Sequence, residues 1–429
     1  MSLTKHLDAA RAALDSGDIP AAAGALTSAS REKNIERRDA DLASLSELIS
    51  RLAAAADLGP LAEAADAADP SDTETLFILG YQLVEFDLAE VAVPYLRRVR
   101  KDMPQELRVV TELAAALERS GRHAEARDTL LADPEILSEY WPRYLVCFNS
   151  IFAGDLDTAR EHALNLNPAD DTEGSHEATQ RILDMLRRAD AITPESALDS
   201  SDLRGWHYVL NGGALLHLSP YGFDEGMNGR YAFFQDGVPG IRRDLDALVA
   251  ALEAREERPA RVLHLDDHGS RIIALALAKM LGVAASPWSP GADGLTVAYD
   301  MEAIELTYEL VEGLRDGGTF FIRCASWTSP PPTPPDFLGY LHQVNIEPWG
   351  EVMSFDQESG GMKTSEPSTD SAEQWAERIL EAGNDDVDGD ADEDAIDSID
   401  ALLAFIGRAP ALRGDNFWEG GPVQSGRFG

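Results

Sequence analysis

One stretch of the chain concentrates side chains able to do chemistry. Asp266, Asp267, His268, Gly269, Ser270 and Arg271 follow the apolar run Arg261-Val-Leu-His-Leu. Carboxylates and imidazoles at this spacing suit a metal ion, with His264 in the run and His207 or His217 as distant partners. Gly269-Ser270 opening a helix, with Arg271 beside it, suits an anion held by backbone amides. A second apolar run, Leu295-Thr-Val-Ala, ends in Tyr299-Asp300-Met-Glu302. The same residues also read as solvated loop acids, a packed histidine and a helix cap.

A third stretch is acidic. Asp386, Asp388, Asp390 and Asp397 fall at the first, third, fifth and twelfth places of a calcium loop, followed by Leu402-Leu403 on a helix. The run resembles the single-loop hands of dockerin-like modules. It departs from them at Ala391, where the turn needs glycine, and at Glu393, where an apolar residue packs. The alternative is an acidic linker. Calcium is the cofactor this acidic stretch suggests. No Gly-x-Ser-x-Gly, no Cys–His pair and no Walker loop accompanies these residues.

Strands alternating with helices must position the first two stretches. The pattern predicts a helix over 241–256, a strand at Arg261-Val-Leu-His-Leu and a helix over 272–281. A strand from Val283, a strand at 295–299, a helix over 303–315 and a strand at Thr319-Phe-Phe-Ile-Arg-Cys follow. That order means an α/β domain with a mainly parallel sheet, whose ligands sit beyond the carboxyl ends of the strands. Before it, Trp206-His-Tyr-Val-Leu, Asn211-Gly212-Gly213 and Ala214-Leu-Leu-His-Leu read as a hairpin. Residues 328–335 form a stiff proline-rich segment that crosses the surface or offers a docking strand, and 354–372 read as a polar loop.

The N-terminal half obeys a different period. Counting from Thr73, Leu76, Leu79, Gly80, Leu83, Ala92, Leu96, Val99 and Pro104 fall at positions four, seven, eight, eleven, twenty, twenty-four, twenty-seven and thirty-two. Small residues at the eighth and twentieth places let two helices approach, and proline stops the second. The series resembles the tetratricopeptide repeat. The next unit starts thirty-four residues on with Val110, Leu113, Ala114 and Leu117, the turn Ser120-Gly121-Arg122, then Ala126 and Leu130. Another carries Tyr144, Cys147 and Ile151, the turn Ala153-Gly154-Asp155, and Ala159. Ser16-Gly17-Asp18 turns a first unit, and residues 36–69 make a degenerate one.

The resemblance implies an all-α solenoid that binds protein or peptide along the first helix of each pair. Phe77, Tyr81, Tyr140, Trp141, Tyr144 and Phe148 are the candidate partner-binding residues, although core or inter-repeat packing explains most such aromatics. Few basic residues occupy the first helices. An apolar or basic ligand segment is therefore expected rather than a peptide carboxylate.

Residues 258–325 resemble the core of a type I phosphoribosyltransferase, on Val262-Leu-His-Leu-Asp-Asp-His-Gly-Ser-Arg, the alanine-rich run 274–282, and Gly294-Leu-Thr-Val-Ala-Tyr-Asp. The resemblance implies a phosphorylated or nucleotide-like ligand at the loops 266–271 and 299–302. The chain departs from that family where Tyr299 replaces the first of two acids and Met301-Glu302-Ala303 lacks glycine.

The expected organisation is a repeat array over 1–188, a linker over 189–204, an α/β domain over 205–380, and an acidic segment, helix and aromatic tail over 381–429. With 76 acidic against 36 basic residues the net charge is −40. Such a surface repels nucleic acid and anionic lipid. Two cysteines, no apolar leader and no membrane-length run point to a cytoplasmic protein. The expected role is a scaffold that recruits a protein partner. The alternative is an enzyme or ligand-binding domain acting through the α/β loops.

Overall fold

The computed structural model describes residues 2–168, 173–220, 227–351, 353–356, 361–382 and 398–425. The chain forms two units, Met1–Ile182 and Leu183–Gly429.

The first unit is a series of antiparallel helix pairs. α1 (Leu3–Ser16) pairs with α2 (Ile19–Ser30), α3 (Asp39–Ala55) with α4 (Gly59–Ala67), and α5 (Thr73–Glu85) with α6 (Ala89–Asp102). α7 (Leu107–Arg119) pairs with α8 (His123–Leu131), and α9 (Tyr140–Phe152) with α10 (Leu156–Ala163). The five turns share one device. Gly17, Asp57, Asp87, Gly121 and Gly154 each take a left-handed conformation. The next amide in each turn bonds back five residues: Asp18 to Ala13, Leu58 to Ala53, Leu88 to Leu83, Arg122 to Leu117 and Asp155 to Ser150. This Schellman closure satisfies the last carbonyls of every first helix.

Gly80 shows why the period demands small residues. A Cβ there would lie 2.7 Å from Leu96 Cδ2, and Leu96 is fully buried. The axes of α5 and α6 approach until only hydrogen fits between them.

The second unit opens within α11 (Ser175–Ile192). The expected hairpin at 206–218 does not form. Residues Leu203–Asn211 are helix α12, because Leu203, Trp206 and Leu210 fall on one helical face and the Asp202 side chain caps the Gly205 amide. Gly212 still adopts the positive φ that Asn-Gly signals, as the cap of α12.

The main sheet has seven strands: β1 (Ala214–Leu215), β2 (Tyr231–Gln235), β3 (Arg261–His264), β4 (Ala284–Pro287), β5 (Leu295–Ala298), β6 (Phe320–Ser326) and β7 (Phe337–Ile346). The order is β1-β7-β6-β5-β3-β4, with β2 also on β7. Every pairing in it is parallel. α13 (Val238–Ala254) and α14 (His268–Leu281) are crossover helices, and α15 (Tyr308–Asp316) precedes β6. α14 starts four residues before the helix the sequence predicts, since the Asp267 carboxylate accepts from Ser270 N. The proline-rich segment is not a docking strand: Pro331, Thr333, Pro334 and Pro335 are buried. Residues in 354–372 are not all loop, since β8 (Met353–Asp356) and β9 (Gly361–Thr364) pair antiparallel. α16 (Ala372–Glu381) packs on α14, and α17 (Ile399–Arg408) packs on α13.

Candidate functional site

Three strands deliver their carboxyl ends to one place. Asp267 follows β3, Tyr299 to Ala303 follow β5, and Asn345 to Glu351 end and follow β7. Together they line a cavity of ≈ 450 Å³. Of the residues expected here, Asp267, Asp300 and Glu302 are brought together. Asp266, His268 and Arg271 are exposed, and Arg271 pairs with Glu373 on α16. Gly269 and Ser270 are buried: Gly269 packs under Tyr299 and Trp349, and Ser270 Oγ accepts from Tyr299 N at 2.9 Å. The first amides of α14 are thus taken by the chain itself.

The cavity is acidic. Burial raises the Asp267 carboxyl above its ordinary value, against the bonds it accepts from Ser270 and Gly269. Its Oδ2 is buried with no hydrogen-bond partner among the described residues. Partial desolvation likewise raises Glu347; the Trp349 indole, 2.7 Å away, opposes this, and Asp267 and Asp300 reinforce it. Asp300 accepts from Glu302 N at 2.9 Å, which closes a tight turn, not an open phosphate cradle. Carboxylates gathered around such a space attract cations and repel phosphate.

Beside Asp300 lies a group the sequence did not announce. Asp300, just after β5, Cys324 on β6 and His342 on β7 place one donor atom each within 4.8 Å of one another. His342 Nε2 is 3.4 Å from Asp300 Oδ2, and Cys324 Sγ is 3.8 Å from the same oxygen. Among the described residues no other trio of histidine, cysteine, aspartate and glutamate converges so. A Cys–His pair therefore exists in space where the sequence showed none. His264, Asp266, Asp267 and His268 do not form such a group, and His217 faces Tyr231 and Arg243 instead. Burial, then Asp300, pushes the Cys324 thiol well above its ordinary value.

A buried ionic network stands next to the trio. Arg323 on β6 reaches Asp244 on α13 at 2.7 Å and Asp236 at 2.9 Å. Asp236 accepts from Tyr299 Oη at 3.0 Å. Asn345 joins Tyr299, Tyr340 and the Cys324 sulfur. A charged residue inside Phe320-Phe-Ile-Arg-Cys-Ala was the one sequence signal for this network, because such a residue survives burial only with partners.

In the first unit the six aromatic candidates divide. Tyr144 and Phe148 are buried, in a ring series running from Tyr140 to Phe152. Tyr140 bonds to Ser175 O and Thr179, and Phe77 lies under the Arg108 guanidinium. Tyr81 and Trp141 are exposed. The calcium candidates Asp386, Asp388, Asp390 and Asp397 lie outside the described residues. No described helix is long and apolar enough to cross a membrane.

No family model and no curated protein matches the chain. Solved structures titled MamA are similar to part of it. That from AMB-1 is 22% identical over 38% of this chain and 96% of its own, with a TM-score of 0.24. MSR-1 MamA is 19% identical over 42% and 97%, with a TM-score of 0.24. MamA of Desulfovibrio magneticus RS-1 is 17% identical over 40% and 97%, with a TM-score of 0.23. Nothing among these supports the phosphoribosyltransferase likeness of 258–325.

Proposed function

We propose that the chain is a protein-binding scaffold whose helix pairs hold a partner segment rich in apolar and basic residues. The observation that carries this reading is a set of large apolar side chains left exposed on first helices. They are Ile78 (44%) and Tyr81 (41%) on α5, Leu107 (40%) on α7 and Trp141 (42%) on α9. Two of these helices, α5 and α7, also carry carboxylates. Burial raises Glu112 on α7 and Glu118 near its end, and Glu85 on α5 raises Glu112 further, against the pull of Arg119. A cationic side chain supplied by a partner would compensate these carboxylates, while its apolar neighbours cover the exposed side chains.

Full-length protein titrated with labelled peptides tests this. One set carries Lys and Arg around apolar anchors; the other carries Asp and Glu instead. The basic set should bind at least about tenfold tighter, and Trp141→Ala or Tyr81→Ala should each weaken binding by about 1–2 kcal/mol with little loss of stability. Equal binding of both sets, or indifference to both substitutions, would overturn the reading.

The acidic cavity favours a second role, ligand binding by the α/β unit. Asp267, Asp300, Glu302 and Glu347 suit a cationic ligand better than a phosphorylated or nucleotide-like one. A thermal-shift comparison of full-length protein with polyamines and with phosphoribosyl diphosphate separates the two. Stabilisation by polyamine that Glu302→Gln reduces supports the cationic ligand, and stabilisation by the diphosphate alone reverses the assignment.

A further inference from the structure

We propose that Asp300, Cys324 and His342 are the protein ligands of a zinc-type transition-metal dication, with a fourth position left to water on the side where Asp300 lines the cavity. The donor set is one carboxylate, one thiol and one imidazole. Thiolate and imidazole together select borderline ions over calcium or magnesium, which prefer oxygen. The spacing fits as well. Bond lengths of about 2.0–2.3 Å to O, N and S put neighbouring donors of a tetrahedral ion about 3.3–3.8 Å apart. Asp300 lies 3.4 Å from the His342 nitrogen and 3.8 Å from the Cys324 sulfur.

His342 gives independent support. It is 1% exposed, and neither ring nitrogen has a hydrogen-bond partner among the described residues. A buried imidazole with both nitrogens unmatched is costly, and an ion between Nε2, Asp300 and Cys324 removes half of that cost. The surroundings suit a thiolate too. Asn345 directs its amide at Cys324 Sγ from 3.5 Å, and Tyr340 Oη holds the Asn345 carbonyl at 2.9 Å. Donors of this kind orient a metal-bound sulfur. Register explains the assembly: Ser326 pairs with His342 and Cys324 with Tyr340, while Cys324 N bonds Tyr299 O beside Asp300.

Cobalt(II) provides the test, because a thiolate ligand gives it a near-ultraviolet sulfur-to-metal charge-transfer absorption that carboxylates do not. Full-length protein, stripped with a chelator, is titrated with cobalt and then with zinc. The expected result is one equivalent of cobalt with that absorption, displaced by zinc. Cys324→Ser should abolish the absorption and Cys147→Ser, which alters the only other cysteine, should keep it. Asp300→Asn keeps a partly exposed position and should lower cobalt affinity roughly tenfold or more. Circular dichroism confirms that each variant is folded. If Cys324→Ser does not fold, the affinity of Asp300→Asn decides alone. Cobalt uptake without the absorption, an absorption that survives Cys324→Ser, or unchanged affinity in Asp300→Asn overturns the proposal.

Discussion

Arg323 and Asp244 form an ion pair closed off from solvent, Nη1 to Oδ2 at 2.7 Å, between strand β6 and helix α13. Burial acts to raise the Asp244 carboxyl, but Arg323, Arg243 and His217 outweigh it and hold it far below the usual carboxylate range. Its contribution to stability is therefore present above the unfolded value of about 3.9 and is lost only as pH falls through the lower folded value. The second carboxylate on the same guanidinium, Asp236, is raised by burial, with Arg323 pulling the other way.

Removing the guanidinium should reverse this pH response. Arg323→Met leaves Asp236 with no cation, while Arg243 still pairs with Asp244. A loss of about 3–5 kcal/mol is expected near pH 7. Without Arg323 the Asp236 carboxyl is raised further, so the variant's stability should rise as pH falls from neutral towards the unfolded value of about 3.9. Urea unfolding of wild type and variant across that window measures it. A variant that loses stability on acidification would contradict the buried charge.

Gly80 offers a test of the repeat packing. An added Cβ meets Leu96 Cδ2 at 2.7 Å and Cγ at 2.8 Å, inside a core where Leu96 is fully buried. Gly80→Val should cost about 1–3 kcal/mol despite the helix-propensity cost of glycine that it removes. Gly24, on α2, meets nothing within 4 Å, so Gly24→Ala should be neutral or stabilising. Thermal unfolding of the pair separates close approach from a general intolerance of larger residues.

His207 sets an acid sensitivity in the second unit. Burial, then the charge of Arg230, depresses its value to about 3. The unfolded chain binds a proton at His207 below about pH 6.5 and the native state does not, so stability falls with pH across that range. The slope from this one residue is at most about 1.4 kcal/mol per pH unit. His207→Gln should flatten the decline between about pH 6 and about pH 4 in urea titrations. An unchanged slope would show that the imidazole takes up its proton without unfolding.

The repeat array was legible because its signal is redundant. Ser16-Gly17-Asp18, Ser120-Gly121-Arg122 and Ala153-Gly154-Asp155 each announce a left-handed cap, and Gly80 announces close packing. The hairpin reading at Asn211-Gly212 took the right dihedral for the wrong element: a helix cap and a tight turn both need positive φ. β7 escaped notice because Gly339 interrupts its apolar run. In the fold that glycine is forced, since a Cβ would lie 2.0 Å from Arg323 O. Missing β7 meant missing His342, and with it the meeting of Cys324 and Asp300. Convergence across parallel strands depends on register, which no local pattern of residues supplies.

The C-terminal tail gives the last prediction. Phe417 packs on His207, and Asn211 clamps the following residue: its Nδ2 donates to Trp418 O at 3.1 Å and its Oδ1 accepts from Trp418 N at 2.6 Å. Further along, Arg230 holds Val423 O, and upstream Tyr208 holds Pro410 O. The tail thus covers α12, where Trp206 and Leu210 are buried. Asn211→Ala removes both bonds to Trp418, for a loss of about 1–3 kcal/mol. Local release should precede global unfolding, so limited proteolysis should cut the variant between residues 410 and 425 under conditions where wild type resists. Equal resistance would place the hold on the tail in Arg230, Tyr208 and the packing of Phe417 instead of in the Asn211 clamp.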